Sequence, residues 1–141
     1  MTYQNPHSPL FDHWIRKTQG SDKYKSTFVN TSHDDFVADF SSSIFTNINK
    51  YMMSGYKDDR ECEDCSVAPA QNGCHGLGEE RPILLLRALR RVWPDTSKPI
   101  ALKDIVVAYL EEHKTTKYAL KCEVCHKAEK KRKVYVEDID A

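Results

Sequence analysis

Two Cys-x-x-Cys pairs, Cys62-Glu63-Asp64-Cys65 and Cys122-Glu123-Val124-Cys125, are the residues of this chain whose type and spacing most directly imply chemistry. Each pair bends around one corner of a tetrahedron, and two such corners complete a four-cysteine site whose soft donors select structural zinc. Other readings use the same residues. Four reduced thiols can pack as small hydrophobes. A thioredoxin-like redox centre wants one pair at a helix N-terminus within a βαβ pattern, and neither pair has those flanks. Cys122 to His126 also spells the c-type haem attachment motif, although Met1 to Pro6 shows no export signal and the second pair explains both thiols.

Between and after the pairs stand Cys74-His75 and His126. The order Cys62-x-x-Cys65, Asn72-Gly73-Cys74-His75-Gly76, then Leu120-Lys121-Cys122-x-x-Cys125-His126 resembles the HNH endonucleases of the His-Me finger superfamily. The resemblance covers roughly residues 61 to 130. It implies an α+β fold with a zinc-bound treble-clef or ββα-metal core and additional packed helices. It implies that His75 is a general base activating water for attack on a phosphodiester. His126 becomes a ligand of a catalytic divalent metal (Mg2+, Mn2+ or Zn2+), and Cys62, Cys65, Cys122 and Cys125 become the structural zinc site.

The chain departs from the family at three places. Cys74 stands where Asp or His usually ligates the catalytic metal, and a thiol is a poor ligand for magnesium. Thr115, Thr116 and Lys117 occupy the place of the usual asparagine, which leaves His113 as the candidate to orient His75. The segment from Gly76 to Lys117 exceeds the usual loop. The plain alternatives are a loop histidine or fifth zinc ligand for His75, a helix-surface histidine for His126 and a buried odd thiol for Cys74. His7, His13, His33 and, as its plain alternative, His113 read as surface or capping residues. On these alternatives the chain is a non-catalytic zinc-binding module that recognises nucleic acid or a protein partner.

The elements that position these residues follow from pattern. A short helix is expected over Leu10 to Lys17. Ser32 with Asp35 matches a capping box, and Phe36, Phe40, Ile44, Ile48 and Met52 recur at every fourth residue, flanked by Val37, Phe45 and Tyr51, up to Gly55. Tyr56 to Gly78 suits a metal-organised knuckle and hairpin. Pro82 opens a helix that Pro94 ends, and Pro99 opens another reaching Leu110 or His113. Tyr118 to Lys121 reads as a strand, Glu123 to Lys133 as a basic helix, and Val134 to Val136 as a strand or loosely packed end. The expected organisation is one domain over 1–141, with an N-terminal helical part at 1–60, an HNH-like core at 61–133 and a helical insertion at 81–113.

Forty per cent apolar and thirty per cent charged residues describe an ordinary globular chain rather than a disordered one. The run Pro82 to Leu86 is too short and too closely followed by arginines to cross a bilayer, so no membrane partner is expected, and an intracellular location (cytoplasmic, or nuclear in a eukaryotic host) is the default. Net charge is zero, yet Lys127, Lys130, Lys131, Arg132 and Lys133 cluster after the second cysteine pair. They are the candidate contacts to a DNA backbone, against a solvated helix face as the plain reading. DNA is the expected partner, and a homodimer is left open.

Overall fold

The computed structural model describes residues 4–57, 60–75 and 80–128 and shows an α+β arrangement of packed helices with two short antiparallel sheets. Helix α1 spans Ser8–Gln19, opens with Pro9 in its first turn, and buries Phe11. Strand β1 is Thr27–Phe28. Helix α2, His33–Phe40, begins as the capping pattern predicts: the Ser32 hydroxyl accepts from the Asp35 N–H at 3.1 Å. Asp34 and Asp35 in its first turn favour that end of the helix dipole.

The four-residue apolar repeat does not produce one continuous α-helix. A π-helical turn, Ser41–Phe45, joins α2 to α3, Thr46–Met53. At about 100° per residue, Phe36 and Phe45 would face opposite sides of an ideal α-helix. The wider turn brings both onto one core, with ring centroids 6.2 Å apart. Phe36, Phe45, Ile48 and Met52 are buried, whereas Phe40 and Ile44 are half-buried and Tyr51 is 61% exposed. Gly55 follows with φ +81°, a left-handed conformation that ends the helical run at little cost for glycine.

Strand β2 is Asn72–His75, helix α4 Arg81–Val92, strand β3 Ile100–Ala101, helix α5 Leu102–His113 and strand β4 Tyr118–Lys121. Pro99 therefore does not open the helix directly. Ile100 and Ala101 first pair antiparallel with Phe28 and Thr27, and the helix starts at Leu102. The second sheet pairs β2 with β4, setting Asn72 opposite Lys121, Gly73 opposite Leu120, Cys74 opposite Ala119 and His75 opposite Tyr118. The partner of β2 thus arrives across the whole α4–α5 segment rather than from a local hairpin. Residues 123–128 are helical.

Helix α5 lies at the centre, packed against both α1 and α4. It buries Leu102, Ile105, Val106, Ala108, Tyr109, Leu110 and His113, and α4 adds Leu84, Leu85, Ala88 and Leu89. Each such leucine or isoleucine contributes about 1.5–3 kcal/mol by leaving water. The segment expected as an insertion is the middle of the hydrophobic core. Among the described residues, no helix is long and apolar enough to cross a membrane. Lys130, Lys131, Arg132, Lys133 and the segment Val134 to Val136 lie outside the described residues.

Candidate functional site

The first cysteine pair sits in a tight knuckle closed by an antiparallel bridge between Glu61 and Pro69. The Cys62 N–H donates to the Ala68 carbonyl at 2.8 Å, and the Ser66 N–H to the Cys62 carbonyl at 2.9 Å. Ser66 takes a left-handed φ of +59° to complete the bend. Within it the N–H groups of Asp64 and Cys65 point at the Cys62 sulfur, at 3.4 and 3.5 Å. The second pair follows β4, and its helical turn is begun by the His126 N–H donating to the Cys122 carbonyl at 3.0 Å.

The sulfur atoms of Cys62, Cys65, Cys122 and Cys125 lie within 4.8 Å of one another. Cys65 and Cys122 are 3.9 Å apart, close to the ~3.8 Å that two ligands of a tetrahedral zinc with 2.3 Å bonds would show. Cys62 and Cys122 are buried, Cys125 half-buried and Cys65 exposed. Burial alone would raise the Cys62 thiol, but the backbone N–H groups of Cys122, Cys65 and Asp64 outweigh it and hold Cys62 down at about 6. Cys125 is pushed up to about 12, first by its neighbour Cys122. Four thiols this close cannot all ionise without a cation among them, and this donor set can hold a metal ion.

The knuckle is clamped to β4 by Glu63. Its N–H donates to the Leu120 carbonyl at 2.8 Å, and its carboxylate accepts from the Leu120 N–H. His7, expected at the surface, is buried because it links this clamp to the end of the α3 region. One ring nitrogen meets Glu63 at 2.9 Å, and the other meets the Tyr56 hydroxyl at 2.8 Å. Asn5, also buried, donates from its amide to the carbonyls of Thr116 and Tyr118 at 2.6 and 3.0 Å. Asn5 therefore ties the N-terminal segment to the approach to β4.

His75, the last residue of β2, and His113, at the end of α5, meet Nε2 to Nε2 at 2.9 Å. His113 is fully buried, stacked on Phe11 at 4.9 Å, with its Nδ1 2.8 Å from the Tyr109 carbonyl. Burial lowers its pKa to about 4, against a smaller raising effect of that carbonyl, so the ring is neutral at pH 7. A carbonyl only accepts, so Nδ1 carries the proton and Nε2 is the acceptor. His75 must then donate from Nε2, and its own lone pair lies on Nδ1. The Tyr118 ring, 4.9 Å from the His75 ring, walls the pair.

Cys74, one residue earlier, places its sulfur 2.9 Å from His126 Nδ1. Two ligands of one tetrahedral zinc would stand about 3.5 Å apart, so the present contact is a hydrogen bond between a buried thiol and an imidazole. Cys74 and His75 alternate across β2, yet both border one open cleft of about 450 Å³, together with His126. Lys50, Lys57 and Arg81 border it too, against one acidic residue among the described ones, Glu80. Lys57 donates to the Gln71 carbonyl at 2.7 Å, and Arg81 Nε donates to the Ser41 hydroxyl at 3.4 Å. The π-helical turn supplies that serine.

These three cations escaped the sequence reading because they are scattered along the chain and meet only after folding. Of the expected basic cluster, Lys127 is described. It is exposed and 3.5 Å from Glu123, the ordinary i,i+4 pair of a solvated helix face. Comparison of the chain with protein-family models, with curated proteins and with solved structures found no match.

Proposed function

We propose that the chain is a metal-dependent endonuclease acting on DNA, built on a zinc-held ββα frame of treble-clef type similar to that of the HNH endonucleases. The observation that carries this reading is the Tyr109–His113–His75 hydrogen-bond chain, which assigns the His75 proton to Nε2 and its lone pair to Nδ1 in a residue that borders the cleft of Lys50, Lys57 and Arg81. A neutral imidazole held in one tautomer can accept a proton from water through its second nitrogen. His113 is a positioning residue: it accepts from His75 and fixes both tautomer and ring direction. Lys50, Lys57 and Arg81 supply the positive potential that a phosphodiester backbone requires.

Zinc is the metal proposed for the four cysteines, whose contribution is rigidity: it holds the knuckle and β4 in one unit, and β4 pairs with the strand that carries His75. Cys74 and His126 are the residues that would hold a second, catalytic ion, and their sulfur and nitrogen donors fit zinc better than magnesium. Bound there, such an ion would offset charge on the phosphate and on the departing oxygen. The side chains meanwhile orient the chain of protons from His75 through His113 to the Tyr109 carbonyl.

The direct Cys74–His126 hydrogen bond favours a second reading, a non-catalytic zinc module that binds nucleic acid or protein through the same cleft. Plasmid nicking in magnesium, manganese or zinc separates the two. The parent is expected to nick, and His75→Ala to lose about 100-fold or more. Equal rates would remove His75 as the base, and a parent inactive with all three metals would favour the binding module.

A further inference from the structure

A second cleft, of about 190 Å³, lies on the other side of α3 from the histidine cleft. Helix α3 is the wall between them: Ile48, Tyr51 and Met52 border the one, Asn49, Lys50 and Met53 the other. Its chemistry is distinctive. Trp14 and Tyr51 meet edge to face at 5.1 Å, and Tyr51 is 61% exposed although the next two residues of its helix, Met52 and Met53, are buried. Tyr24 completes the wall with φ +63°, an uncommon conformation for a bulky residue. The Lys103 N–H holds it there by donating to the Tyr24 carbonyl at 3.1 Å.

Two exposed lysines sit over these rings. Lys17 Nζ lies 5.0 Å from the Trp14 ring centre, and Lys23 Nζ lies 5.3 Å from that of Tyr51. Among the described residues that line the cleft, none is acidic. Flat aromatic surface beside paired cations disfavours a cationic ligand and suits one that alternates π-faces with negative charge. A nucleic-acid strand with unpaired bases has that pattern. In a duplex the π-faces are already stacked on each other and withheld from side chains.

We infer that the Trp14–Tyr24–Tyr51 cleft binds the bases of single-stranded nucleic acid, with Lys17 and Lys23 on the flanking phosphates. The strand's course rests on the proposed function: it would leave the cationic histidine cleft and cross α3, about 10–12 Å wide, to reach the aromatic cleft. The substrate class is then a single strand, or a duplex with a single-stranded flank, rather than an uninterrupted duplex.

Trp14 provides the readout, because the only other tryptophan, Trp93, is buried with its indole N–H bonded to the Lys98 carbonyl at 2.7 Å. The zinc-loaded full-length chain is titrated with oligothymidylate of about 12 nucleotides, within the site sizes of single-strand binders, and the same samples are run on a gel for cleavage. Tryptophan emission is expected to be quenched in the parent and unchanged in Trp14→Phe. Tyr51→Ala, a truncation at an exposed position, is expected to weaken binding about tenfold. Lys17→Ala with Lys23→Ala is expected to lower the slope of log affinity against log salt by about 1.4. Binding with these features but without cleavage upholds the inference and removes the nuclease reading alone. Equally tight binding of the matching duplex or of polyglutamate, or unchanged affinity in Tyr51→Ala, overturns it.

Discussion

His113 is fully buried, and its ring is neutral for that reason. The unfolded chain, with this histidine near 6.5, binds a proton that the folded state, at about 4, refuses. Stability is therefore complete above about pH 6.5 and falls as pH drops toward 4, by ~3 kcal/mol in full and roughly 2 kcal/mol by pH 5. Replacing the ring by an amide, His113→Gln, is expected to remove this share of the acid sensitivity while lowering stability at pH 7.5. Urea unfolding of both proteins at pH 7.5 and pH 5 measures it. Identical pH dependence in the two would show that His113 is not the group that titrates. The same substitution is expected to alter the pH profile of any nicking activity, because an amide that can both donate and accept no longer fixes the tautomer of His75.

At the scale of elements, the site depends on how closely β2 approaches its neighbours. A Cβ added at Gly73 would lie 1.9 Å from the Tyr118 hydroxyl, 2.7 Å from its ring carbon Cζ and 3.2 Å from the Met53 sulfur. Gly73→Ala is thus expected to cost about 1–3 kcal/mol through overpacking, and to displace Cys74 and His75, the next two residues. Adding Tyr118→Phe should recover only part of the loss, since the ring-carbon contact remains; denaturation midpoints of the single and double variants test this, and a neutral Gly73→Ala would contradict the packing. This close approach could not be read beforehand, because Gly73 in a cysteine-rich stretch looks like any loop glycine. What was legible had a local cause: the Ser32 cap, Pro82 in the first turn of α4, the strand at Tyr118 to Lys121, and the cysteine spacing. What was not legible is tertiary. A four-residue repeat is compatible with helix whether or not a π-helical turn corrects its drift, and the two-residue strands β1 and β3 are too short to show a period. Lys50, Lys57 and Arg81 share a cleft only because α3, β2 and α4 meet there. His7 and Asn5 are buried by contacts with residues more than forty positions away.

On the scale of the whole molecule, two cores of different origin share the chain. The helical core, centred on α5, is held by buried leucine, isoleucine, valine and aromatic side chains and includes none of the four cysteines. The knuckle and the start of the last helix contribute few apolar residues, and the four cysteines are what join them. Removing the proposed zinc should therefore separate the two cores rather than unfold both. With a chelator, or in Cys125→Ser, the helical circular dichroism is expected to persist, while amide protection is lost over residues 60–75 and 118–128. The melting temperature should fall by roughly 10 °C, equivalent to about 3 kcal/mol for a chain of this length. Restoring zinc should reverse the change in the chelated parent but not in the variant, and metal analysis should find about one zinc per chain. A metal-free parent with four reduced thiols and unaltered protection in both segments would show that the thiols merely pack. It would also mean that β2–β4 pairing, the Glu63 clamp and the Asn5 hydrogen bonds hold His75 against His113 without help from a metal.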